Sequence, residues 1–147
     1  MATRLFTVQE AESILPAVEA DLRQAVSIKP QYADAEAELN AVVQRVTMSG
    51  GAVVNREQLI HVRGRRDALA ARLKELINAI QEFGCLVKDL DNGLLDFPTL
   101  FRDEEVYLCW KLGEPGIGYW HRIQDGFRGR QRIDADFLAN HRGEPPN

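Results

Sequence analysis

Apolar residues in the first part of the chain recur at alternating spacings of four and three: Ala11, Leu15, Val18, Leu22 and Ala25. That spacing is a heptad stripe, the buried face of a long helix. The same frame continues through Lys29, Tyr32, Glu36, Leu39, Val43 and Val46, with polar residues among its members. Just ahead of it, "FTVQE" offers Thr7 as a helix cap and Glu10 as its capping-box partner, with Phe6 and Ala11 at the staple positions. Pro16 and Pro30 fall inside the pattern. Each removes a backbone donor and crowds the preceding turn, so each predicts a kink. Because the frame survives Pro30, the pattern predicts one long kinked helix from about residue 8 to 47 rather than two helices.

A Gly-Gly loop, "TMSGGAVVN", ends at Asn55, a good N-cap with Gln58 in the capping-box position. A second stripe follows: Leu59, Val62, Arg66, Leu69, Leu73, Leu76, Ile80 and Phe83, with Gly84 as its stop. Two such helices joined by a short loop predict an antiparallel helical hairpin. Arg66 in the seam either fixes the register or snorkels to solvent, and snorkelling is the simpler role. The second helix rises ~42 Å and the first ~60 Å. Folding back from the loop puts Phe83 near Glu19. The first helix then overhangs, and Ile14, Leu15 and Val18 need cover from the C-terminal segment.

After Gly84 the pattern changes to short runs with turn signals. "CLVKDLDNGLLDFP" predicts a hairpin turning at Asn92-Gly93. "VYLCWKL", "GEPG" and "IGYWHRI" predict a second, turning at Pro115-Gly116. The ending "HRGEPPN" reads as a mobile tail. The expected architecture is therefore α+β: a long antiparallel, coiled-coil-like helical hairpin plus a small antiparallel β-sheet built from two C-terminal hairpins. It forms a single domain, 1–147, with a helical arm at 8–83, a sheet module at 84–135 and a tail at 136–147.

Composition adds exclusions. A chain of 147 residues with 45% hydrophobic and 27% charged residues is an ordinary globular one. The net charge of -4 argues against nucleic acid or an anionic membrane as partner. No apolar run approaches a bilayer span and "MATRLFTVQE" has no signal-peptide core, so the expected compartment is cytoplasmic. Cys85 and Cys109 make no disulfide framework and read as buried thiols.

The chemistry-bearing residues lie in the two hairpins. With two-residue turns, Asp89 faces Asp96, Trp110 faces His121 and Cys109 faces Arg122. Asp89 and Asp96 would repel each other unless solvent, a base, a proton or a cation relieved them. Asp89, Asp96, Glu114 and His121 are therefore the candidates for a catalytic or metal site. Carboxylates with one imidazole suit Mn²⁺, Fe²⁺ or Zn²⁺, or acid–base work. The simpler roles are a solvated acidic pair, a hydrogen-bonded core histidine and a turn glutamate. In this register Cys109 and His121 point to opposite faces, which argues against their acting together; a one-residue slip would reverse that. Trp110 and Trp120 likewise fall on opposite faces, one of which could form an exposed patch. His61 and His141 have no evident partner. Arg128, Arg130 and Arg132 in "GFRGRQR" could grip a phosphate or stack on bases, yet no nucleotide-binding glycine loop accompanies them.

"FTVQEAESILP", "VKDLDNGLLDFP", "VYLCWKLGE", "YWH" and "GFRGR" together resemble a family of small bacterial proteins catalogued as domain of unknown function 2203. The likeness covers nearly the whole chain and departs at Pro30, where such proteins are continuously helical. It implies this fold and no activity. The reading favoured by pattern alone is a non-enzymatic interaction or assembly module, homodimeric through the apolar seam of its arm. A metal-binding protein or enzyme with its site on the sheet is the alternative, and an Arg-mediated phosphate or nucleic-acid binder the third.

Overall fold

The computed structural model describes residues 4–51 and 55–145. Part of the predicted Gly-Gly loop and the last two residues of the predicted tail fall outside them. One uninterrupted helix, α1 (Val8–Met48), spans both prolines. It begins where "FTVQE" predicts: Thr7 Oγ1 accepts from Glu10 N–H and Glu10 Oε1 accepts from Thr7 N–H, at 3.1 and 2.9 Å. Helix α2 (Arg56–Glu82) begins at Asn55, whose side chain accepts from Gln58 N–H. Gly84 follows its end with φ +100. A Cβ there would lie 2.5 Å from that of Arg4, so glycine is required by space as well as by backbone conformation.

The two helices pack as an antiparallel hairpin. Arg66 meets Glu36 at 3.2 Å, the same antiparallel offset that sets Phe83 beside Glu19, and also pairs with Asp67 at 2.8 Å. It reaches the seam edge and pairs there while staying partly exposed. The seam drifts past Pro30: Ala35, Leu39 and Val42 are buried, whereas Val43 is 43% exposed.

The strands are β1 (Leu86–Asp89), β2 (Leu94–Phe101), β3 (Glu104–Lys111), β4 (Tyr119–Arg122), β5 (Gln131–Arg132) and β6 (His141–Arg142). They form an antiparallel sheet in the order β1-β2-β3-β4-β5, with β6 also paired to β2. The overhang of α1 covers one face. Ala11, Leu15, Val18 and Leu22 share a core with Ile80, Leu95, Phe97, Leu108 and Trp110.

Both predicted turns are wider than expected. Asp89 accepts from the Asn92 backbone and side chain, at 3.1 and 2.7 Å. This side-chain turn closes the chain earlier, so Asp89 pairs with Leu94 and Asp96 with Leu86. The expected Asp89–Asp96 opposition does not form. In the second hairpin Glu114 Oε1 accepts from Lys111 N–H at 2.7 Å, and Glu12 on α1 accepts from Ile117 N–H at 3.1 Å. These two carboxylates hold residues 112–118 open as a loop. Cys109 therefore pairs with Tyr119 and Tyr107 with His121. The shift is odd, so Cys109 and His121 share a face, contrary to expectation, and so do Trp110 and Trp120. An unanticipated turn at Arg102-Asp103, both with positive φ, links β2 to β3.

The expected tail is structured as far as it is described. A short helix, α3 (Ala135–Asn140), buries Phe137 against Phe101 and Trp120, with ring centroids 4.7 and 5.0 Å apart. Arg142 and His141 then pair with Leu100 and Phe101. His141 does have a partner: its Nε2 accepts from Val8 N–H at 3.1 Å, in the first turn of α1.

Candidate metal centre

Strand pairing assembles the site. Asp96 on β2 lies directly across from Cys109 on β3. His121 on β4 sits one diagonal step away, across from Tyr107. All three side chains project from the sheet face opposite the helices, because they alternate with Leu95, Leu108 and Trp120, which belong to the core. Asp96, Cys109 and His121 are nevertheless buried, at 3%, 1% and 3% exposure. Their cover comes from the segment after β4. Ile123, Gly126 and Phe127 line a cavity of about 130 Å³ together with Lys88, Leu94, Tyr107 and the three buried residues.

One ligand atom from each of Asp96, Cys109 and His121 lies within 4.8 Å of the other two. His121 Nε2 is 3.1 Å from Asp96 Oδ1, and its Nδ1 is 2.8 Å from the Arg122 carbonyl oxygen. Burial alone pulls the imidazole toward neutrality. Hydrogen bonds to Asp96, Cys109 and the Arg122 carbonyl, with the Asp96 charge, outweigh it and raise His121 to about 10. His121 is thus held in its charged form between Asp96 and the Arg122 carbonyl. Both ring nitrogens are engaged, Nε2 by Asp96 and Nδ1 by the Arg122 carbonyl.

In a tetrahedral zinc centre the ligand atoms lie roughly 3.3–3.7 Å apart, so these three atoms, within 4.8 Å of one another, would have to draw closer to hold an ion. The Nδ1–H of His121 already points at a backbone carbonyl, the outer contact that usually orients a metal-bound imidazole. Three protein ligands would leave one tetrahedral position, and the same three residues line the cavity.

The other predicted residues stand apart. Asp89 holds the β1–β2 turn, and its hydrogen bonds to Asn92 keep its carboxyl below the usual range. Glu114 is occupied by Lys111 N–H and by Arg130, whose two terminal nitrogens reach its carboxylate oxygens at 3.1 and 2.8 Å. Arg130 also lies over the Tyr119 ring at 3.9 Å and the Phe127 ring at 4.3 Å. Its guanidinium is therefore committed to the roof of the site, and only Arg128 and Arg132 of the predicted phosphate grip are exposed. Sequence reasoning argued against Cys109 as a partner of His121, and it left out Lys88, Tyr107 and Phe127 as walls. A second-hairpin register three residues different would have brought Cys109 and Tyr107 onto the face of His121.

The arrangement defines a small α+β protein in which a helical hairpin backs a sheet whose far face carries a buried Asp–Cys–His cluster. The chain belongs to the family described as "Uncharacterized conserved protein (DUF2203)", whose model matches residues 4–133. No curated protein and no solved structure matches it. Among the described residues, no helix is long and apolar enough to cross a membrane.

Proposed function

We propose that this protein binds one divalent transition-metal ion through Asp96, Cys109 and His121, with its fourth coordination position open to the adjoining cavity. The observation that carries this reading is the convergence of three buried ligand atoms from three adjacent strands within 4.8 Å. Mixed sulfur, nitrogen and oxygen ligands suit zinc, and the thiolate disfavours manganese. Three protein ligands with one open position is the pattern of catalytic rather than structural zinc centres. Binding would displace the proton that His121 carries toward Asp96 in the metal-free site.

Metal-free protein titrated with Zn²⁺ should take up one ion per chain. Cys109→Ser and His121→Ala should each weaken binding by more than the roughly 10–100-fold typical of losing an outer contact. Asp89→Asn should leave affinity unchanged. Undiminished affinity in Cys109→Ser, or no binding of Zn²⁺, Co²⁺ or Fe²⁺ at micromolar concentration, would overturn the proposal.

A second reading concerns assembly. Met48 and Ile60 are 80% and 71% exposed at the free end of the arm, near the exposed Val43. These residues support self-association of two copies through their arms. Light scattering across micromolar concentrations should show a dimer that Met48→Glu/Ile60→Glu converts to monomer; a monomeric wild type throughout would remove this reading.

A further inference from the structure

Resting on the metal centre proposed above, we infer that its open position takes a small monocarboxylate, held jointly by the metal and Lys88. Charge comes first. A divalent ion with the Cys109 thiolate, the Asp96 carboxylate and a neutral His121 is electrically balanced. Lys88 then leaves one positive charge at the cavity wall. Its ammonium lies 4.9 Å from the centre of the Tyr107 ring, which it overhangs, and both side chains line the cavity. A single negative charge is matched there. A dianion is over-charged for the site, and a neutral molecule forgoes the attraction of the exposed Lys88 ammonium.

Size and polarity narrow the class. The cavity of about 130 Å³ is close to the size that admits benzene, so the ligand has on the order of six heavy atoms. Its walls divide by chemistry. Lys88 and Tyr107 are the polar side chains beyond the three metal ligands, while Leu94, Ile123 and Phe127 are apolar. A carboxylate with a short aliphatic tail fits both parts, its head between metal, ammonium and phenol, and its tail on the apolar side.

Propionate is the probe and propionamide its neutral counterpart of the same shape. With Co²⁺ in the site, thiolate coordination gives a charge-transfer band and the ligand-field bands report the fourth ligand. Propionate should change the ligand-field bands saturably, propionamide should not, and Lys88→Met should weaken propionate by about tenfold, the effect of one charge-assisted hydrogen bond. A thiolate band present but indifferent to propionate, or equally responsive to propionamide, would overturn the inference and leave the metal centre standing. Unchanged propionate affinity in Lys88→Met would also overturn it. Absence of the thiolate band would remove both proposals together.

Discussion

Glu10 serves two structural neighbours at once. Its carboxylate closes the capping box on Thr7 and lies 3.4 Å from Arg4. The Thr7 backbone hydrogen bond, with help from the Thr7 hydroxyl and Arg4 and against a little burial, holds its carboxyl below the usual range. A carboxyl depressed on folding stabilises above its ordinary value near 4.5, and that contribution disappears as pH falls through the folded value. Glu10→Ala should therefore cost about 0.5–1 kcal/mol at pH 7, toward the low end because solvent screens the group. The gap between wild-type and variant urea midpoints should narrow on acidification to pH 3; a gap that widened would contradict this origin. Single-residue signals of this kind were legible: Thr7, Asn55 and Gly84 act through local backbone chemistry that needs no knowledge of the rest of the fold. Cys109 was not legible in the same way. Its meaning depends on which residue of another strand stands opposite, and Glu114 in the loop after β3, with Glu12 on α1, decides that.

Strand register is where the expectation and the molecule part. Asn92-Gly93 and Pro115-Gly116 are real turn signals, yet Asp89 and Glu114 each offer the backbone a stronger side-chain acceptor and lengthen the loops. The short element from Gly126 to Arg130 depends on the same Glu114. Arg130 joins it by two charge-assisted bonds and stacks on Phe127, so the roof over the site is clamped at its C-terminal end. Arg130→Met should release that end and raise the alkylation rate of Cys109 in the metal-free protein by about tenfold or more. Lysine should not restore protection, because a point charge cannot replace the fork. Cys85 is the internal control. Burial pushes its thiol up to about 12 and its Sγ donates to the Ile80 carbonyl at 3.3 Å, so it should stay unreactive in both proteins. Equal alkylation of Cys109 in wild type and variant would show that the clamp does not guard the site.

At the scale of the whole molecule, unequal helix lengths were the most informative signal in the sequence. They required a second surface for Leu15 and Val18, and the sheet provides it. The same reasoning missed the final helix and strand, since a six-residue helix and a two-residue strand have too few positions to show a period. Yet that segment meets the start of α1: Glu144 N–H donates to the Leu5 carbonyl, Glu144 Oε1 accepts from Leu5 N–H, and His141 accepts from Val8 N–H. Gly143 is packed so closely there that a Cβ would lie 2.6 Å from Glu10 Oε1. This junction has a consequence for how the protein is made. The ribosome releases α1 before the strands that cover its opening turns, and β6, which meets its first turn, follows those strands. Until those strands emerge, the opening turns of α1 display a bare apolar face. The β2–β3 hairpin, by contrast, closes on neighbours already at hand. The bond from Val8 N–H to His141 joins segments 133 residues apart, so it can form only after nearly all of the described fold has been made.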